Sequence, residues 1–255
     1  MLVNPISFRT LLRREVIRFT RIINQTVLSP VLSSFLYLLI FGSTLGKHLN
    51  LMGDISYIQF IVPGIVIMNI ITVAYSHTSF SIFYARYTKM IENDLITPIS
   101  NFERILASTV GSLVVSIIVG SLICLVSLFF SPLNIHNLPM FIFFTVTISV
   151  TFSGFGIIVA LMSEQFEHLS FFTTYLITPL TFLGGVFYSV KMLPEKLLFF
   201  TKANPFFYMV DGFRWSMIGY SEGNLSLSIV LALSSAIFFF FLNVWLFHIG
   251  YKLKN

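Results

Sequence analysis

Five long stretches of this chain, 22–46, 55–85, 105–163, 168–190 and 223–251, carry no Asp, Glu, Lys or Arg. Together they hold 167 of its 255 residues. A helix needs about 20 apolar residues to cross a bilayer. Composition agrees with that reading: 56% of residues are hydrophobic and 10% are charged, against roughly 25% charged in soluble domains. The stretch 105–163 is too long for one helix. It breaks at Ser131-Pro132-Leu133-Asn134-Ile135-His136-Asn137-Leu138-Pro139, where two prolines and two asparagines make a turn. Six spans follow: 27–46, 57–80, 105–130, 139–162, 169–190 and 226–248. The expected fold is an all-α membrane protein forming a single domain over 1–255.

Six spans put both termini on one side. That side collects Arg9, Arg13, Arg14, Arg18, Arg21, Arg86, Lys89, Arg104, Lys252 and Lys254, and the other has Lys47, Lys191, Lys196, Lys202 and Arg214. The positive-inside rule places both termini in the cytoplasm. Bases that flank apolar runs explain the net charge of +5 without nucleic acid as a partner. The lone Cys124 excludes an internal disulfide and a cysteine metal cluster. The arginine-rich start precedes an apolar run too long for a signal peptide, with no small-x-small cleavage site, so the first span is read as retained.

Three segments outside the spans carry information. Residues 4–25 form an amphipathic helix for the cytoplasmic interface, with five arginines on one half and Phe8, Leu11, Leu12, Val16, Phe19, Ile22 and Ile23 on the other. Ile17 strays into the basic half, and Glu15 lies in the apolar half within i+3 reach of Arg18. The segment 81–104 alternates in charge and contains Pro98, so a short surface helix broken at that proline is expected. The segment 191–222 is too polar to cross twice and too apolar for a solvated loop. Two short re-entrant or interfacial helices joined at Asn204-Pro205 fit it, with Asp211 and Arg214 placed to pair at i and i+3.

Enzymatic motifs are missing. Gly42-Ser43-Thr44-Leu45-Gly46-Lys47-His48 has the wrong glycine spacing for a phosphate loop and no Ser or Thr after the lysine. Gly154-Phe155-Gly156 lies inside a span and is read as chance, no histidine pair has zinc spacing, and no Gly-x-Ser-x-Gly occurs. The chain is therefore expected to be no enzyme and to hold no metal or cofactor. His77 is the titratable residue of the second span, near its cytoplasmic end. That scarcity of ionisable groups counts against an ion-coupled secondary transporter, which stays open as the alternative because backbone carbonyls can hold sodium.

Neutral polar stripes do run along the spans. Ser108, Ser112, Ser116, Gly120 and Cys124 recur every fourth residue; Thr174, Thr178, Thr181, Gly185 and Tyr188 recur at heptad-like spacing; Asn69, Thr72 and Ser76 share a face. Two readings remain for them: close helix packing, or an uncharged path for an amphiphilic substrate.

Four segments carry a family resemblance: Gln59-Phe60-Ile61-Val62-Pro63-Gly64, Glu92-Asn93-Asp94-Leu95-Ile96-Thr97-Pro98, Leu176 through Ser189 with Leu193-Pro194, and Asn204 through Arg214. Together they resemble the ABC-2 type permease family, the membrane subunits of one class of ATP-binding-cassette exporters, over nearly the full length. The short bacterial multidrug-type permeases are most similar. The resemblance implies a homodimer in the bacterial inner membrane, served by two copies of a separate ATPase that binds ATP and magnesium. It implies an ATPase-coupling surface at Arg86, Lys89, Glu92, Asp94 and Pro98, with a second contact at Glu164 and Glu167. The substrate path would run along Asn69, Thr72, Ser76, Thr174, Thr178 and Thr181. The outer helices with Asn204, Pro205, Asp211 and Arg214 would cap the exit, and an amphiphilic drug, lipid or glycan would be the cargo.

Overall fold

The computed structural model describes residues 5–44, 50–52, 55–91, 97 and 99–252. Among them, five helices are long and apolar enough to cross a bilayer: Asn24–Gly42, Tyr57–Tyr87, Asn101–Ser127, Leu138–Met162 and Leu225–His248. The chain opens with α1 (Pro5–Arg21) and α2 (Ser29–Thr44), then a short antiparallel pair, β1 (Asn50–Met52) and β2 (Ile55–Ser56). The charge pattern gave no sign of that pair. The spanning helices α3 (Tyr57–Tyr87), α4 (Asn101–Ser127) and α5 (Leu138–Met162) follow. Then come α6 (Phe166–Phe172), α7 (Thr178–Leu183), α8 (Glu195–Ala203), α9 (Pro205–Ile218) and α10 (Leu225–His248).

Polar residues start these helices. Ser56 and Gln59 form a reciprocal capping box on α3, and Ser100 and Glu103 do the same on α4. Asn137 and Asn224 accept the first free N–H groups of α5 and α10. After Gly64, α3 has no proline or glycine and runs on to Tyr87, beyond which Lys89 turns into the left-handed region at φ 57°. Residues 81–87, expected in a separate cytoplasmic connector, are instead the last turns of a spanning helix. Charge marked the boundary in the sequence, but backbone hydrogen bonds continue through charged residues.

α3 is the hub. It packs on α4, α5, α9 and α2, and Ile65, Ile67, Ile70, Ile71 and Tyr75 are buried. In lipid the hydrophobic effect does not pull helices together, so close contact and interhelical hydrogen bonds must. Polar side chains, only some of them from the stripes, supply the bonds. Asn69 donates to Ser34 Oγ on α2 at 3.1 Å, Ser112 on α4 to the Ala74 carbonyl at 3.2 Å, and Thr78 to the Ser153 carbonyl on α5 at 3.0 Å. Asn243 on α10 donates to the Gly154 carbonyl at 2.9 Å, and the Tyr75 hydroxyl to the Leu169 carbonyl on α6 at 2.9 Å.

Two helical stretches contain a π turn. Asn24–Leu28 precedes α2, and Thr173–Ile177 joins α6 to α7. Each runs directly into a Ser/Thr-Pro pair, Ser29-Pro30 or Thr178-Pro179. Proline cannot donate to the preceding turn and crowds its carbonyl; widening that turn by one residue relieves the conflict.

The helices α3 and α5 approach closely at Gly156. A Cβ there would lie 2.5 Å from Thr78 Oγ1 and 2.6 Å from the Tyr75 carbonyl oxygen on α3. This glycine, which looked incidental in the sequence, sets the α3–α5 separation. Gly156→Ala is expected to destabilise the protein by about 1–3 kcal/mol. Thermal unfolding of the detergent-solubilised variant measures this, and an unchanged melting temperature would contradict the close approach.

Candidate functional site

Two charged clusters lie at opposite ends of the helical bundle. The outer one centres on α9, which Pro205 opens at its first position. Asn204 caps α9 through Phe206 N at 3.0 Å and also donates to the Leu180 carbonyl at 2.6 Å, tying α8 and α9 to α7. On α9, Arg214 is fully buried. Its Nε donates to the Phe60 carbonyl at 3.3 Å and its Nη2 to the Gly185 carbonyl at 2.5 Å. The guanidinium sits 3.9 Å from the centre of the Phe60 ring, a cation–π contact, and Nη1 has no hydrogen-bond partner. Phe60 lies in the first turn of α3, just before Pro63. Gly185 holds φ 79°, which lets the chain reverse after α7. Val186 then packs so tightly that a Cβ on Gly64 would fall 2.6 Å from its carbonyl oxygen. Arg214 thus joins three segments that are far apart in the sequence.

The expected pairing of Asp211 with Arg214 does not form. The Asp211 carboxylate accepts from Ser221 Oγ at 2.6 Å, Glu222 N at 2.7 Å and Gly223 N at 3.0 Å. Those donors draw it toward the loop before α10, while the carbonyls of Phe60 and Gly185 draw the guanidinium the other way. Glu222, missed in the sequence, accepts from Val190 N at 2.8 Å, from the Tyr220 hydroxyl at 3.1 Å and from Ser189 Oγ. Burial, and then the Glu222 charge, push the Tyr220 phenol up to about 12, so it keeps its proton and donates to Glu222. A lone acid beside Gly223 was the only sequence signal for this loop.

The inner cluster lies where α1 meets α3 and α4. Leu11, Glu15 and Phe19 are buried, so the apolar half of α1 docks on protein. Glu15 pairs with Arg18 at 2.7 Å, as its spacing predicts, and accepts from Ser81 Oγ at 3.0 and 3.1 Å. Arg18 also bonds Ser81 Oγ and donates to the His77 carbonyl at 3.3 Å. His77 is buried beside them, with neither ring nitrogen hydrogen-bonded.

The predicted coupling residues divide. Glu92, Asp94 and Pro98 lie outside the described residues. Lys89 and Glu164 are exposed just beyond the ends of α3 and α5, and Glu167 is exposed in the first turn of α6. Arg86 is not on that surface: its Nη1 donates to the carbonyls of Ala160, Leu161 and Ser163 at 2.6, 2.9 and 3.2 Å. A cation there satisfies the free carbonyls at the end of α5.

The predicted path residues also divide. Asn69 and Thr181 are buried and bonded inside the bundle, Thr181 to the Ile177 carbonyl at 2.6 Å. Thr72, Ser76 and Thr178 are partly buried, and Thr174 is exposed. The heptad reading assumed one continuous α-helix; the π turn at Thr173–Ile177 rotates Thr174 away from Thr181.

Residues 6–218 match the family described as ABC-2 type transporter. The chain is 35% identical over 217 residues to the inner membrane transport permease YadH of Escherichia coli K12, covering 85% of each chain. It is 24% identical over 239 residues to nodulation protein J of Rhizobium meliloti, covering 91% of this chain and 88% of that one.

Removing Arg214 should loosen the outer end. Arg214→Gln deprives two buried carbonyls of a charged donor, and each unsatisfied group costs about 1–3 kcal/mol. Arg214→Lys should recover only part, because an ammonium lacks the planar fork. Faster proteolysis of the 184–194 loop in both variants, Gln more than Lys, is the expected result; wild-type rates would remove Arg214 as the tie.

Proposed function

The chain belongs to the ABC-2 type transporter family, as one of its membrane permease subunits, and from that premise we propose that it moves an amphiphilic molecule outward across the bacterial inner membrane. Permeases of this family contain no catalytic site and no cofactor; ATP binds a partner ATPase. The family match over residues 6–218, on a chain with five candidate membrane spans, supports the reading most. YadH, an inner membrane transport permease by name, is the relative that suggests the location.

The finer assignments are ours. Residues Phe166–Leu183, helical throughout but interrupted by the π turn, form the sixth crossing. α8 exposes Leu197, Phe199 and Phe200 to lipid, while α9 is buried against α3, α5 and α10 as a re-entrant outer helix. Two copies of the chain face each other, each with an ATPase below it. Lys89, Glu92, Asp94 and Pro98 seat one ATPase contact, and Glu164 and Glu167 a second. Arg86 acts behind that surface by fastening the end of α3 to the end of α5, so a push at Lys89 reaches both helices. Thr174, Thr178, Thr72 and Ser76 border the path between subunits, whereas Asn69 and Thr181 hold helices in place. ATP binding favours one state of the dimer over the other, and that difference in affinity drives the change.

Two measurements test this. The tagged permease should co-purify with a separate ATPase, and the Glu164→Lys, Glu167→Lys double variant should lose at least about tenfold of the ATP-driven transport while staying folded, since surface changes cost little stability. Full transport by that variant would displace the second contact. Cysteines at position 174 in a Cys124→Ser background should crosslink between subunits. Labelling at 174 only by lipid-soluble reagents would show that this face meets lipid.

A further inference from the structure

The groove between α1 and the cytoplasmic end of α3 is unusual in its chemistry. It encloses about 530 Å³, and Arg13, Arg14, Arg18 and Arg21 all line it. An arginine groove alone would suit any anion. This one also has an apolar side: Ile17 from α1, 42% exposed, faces Tyr84, Ala85 and Met90. Ile17 is the apolar residue that strays into the basic half of α1, and its position in the groove accounts for it. The groove reaches in to Ser81, a residue of the spanning helix, so it lies at headgroup depth. Ile22, Ile23 and Leu28 continue the exposed apolar surface just beyond α1.

We propose that this groove binds an anionic phospholipid, its phosphodiester held by Arg13, Arg14 and Arg21 and its first carbons lying on Ile17, Tyr84 and Met90. Arginine suits the phosphate because its planar fork gives paired donors. Arg18 has a different task. Its pairing with Glu15 and Ser81 fixes α1 against α3 and so sets the groove's width. An acidic protein surface fits less well, because it would leave the apolar side of the groove against polar groups. The proposal goes beyond the export reading and does not depend on it, since it concerns a bound lipid and not the cargo.

Native mass spectrometry of the purified full-length permease tests it, with dioleoylphosphatidylglycerol and dioleoylphosphatidylcholine offered in equal amounts. Preferential retention of phosphatidylglycerol is expected. The R13Q/R14Q/R21Q variant, with Arg18 kept, should weaken that retention by about a hundredfold, because each basic residue adds to the attraction of an anionic surface. Ile17→Gln keeps every charge and should weaken it too, and excess glycerol phosphate should fail to displace the lipid. Equal retention of the two lipids, or an unaffected triple variant, would overturn the proposal. So would displacement by glycerol phosphate, which marks a free-phosphate site. Loss of ATPase co-purification in the triple variant, with lipid retention unchanged, would assign the groove to the ATPase instead.

Discussion

Helices in a bilayer must be held by contact and hydrogen bonding, because lipid is as apolar as their side chains. Everything in this protein is arranged around α3 on that basis. The helix is buried along most of its length, and its neighbours reach it through neutral hydroxyl and amide groups that bond backbone carbonyls. Such bonds carry no net charge into the membrane. They also need little space, which is why Gly156 can bring α5 against the backbone of α3.

Charge is confined to the two ends of this core, where it joins elements that packing alone would leave independent. At the outer end Arg214 holds the start of α3 and the turn after α7, while Asp211 and Glu222 organise the loop before α10. At the inner end Arg18 clamps α1 to α3, and Arg86 clamps α3 to the end of α5. One helix therefore links both polar clusters.

Legibility followed the physics of each signal. The helix-forming apolar stretches were plain, because a bilayer imposes length and hydropathy on any segment that crosses it. The Glu15–Arg18 pair was legible because i and i+3 share a helix face. The same rule misled at Asp211 and Arg214, where partners distant in sequence outcompete the local one. Arg86 was misread for a similar reason: a base next to an apolar stretch looks like a surface charge until the open carbonyls of another helix are seen beside it. The threonine stripe does not keep one face, because a π turn before Pro179 changes the period that the stripe assumed.

The sequence by itself determined that this chain crosses a membrane, that basic residues flank its apolar stretches, and that its residues resemble those of ABC-2 permeases. Those properties follow from composition and order along the chain. Only the tertiary structure decided which polar groups hold the bundle together and which face outward. A serine on an apolar helix reads the same in either role, and what distinguishes them is whether a carbonyl of another helix lies within hydrogen-bond reach. The joining of Phe60, Gly185 and Arg214, and the groove that gives Ile17 its place, belong to that second kind. Both depend on how far apart the helices sit, which no local pattern encodes.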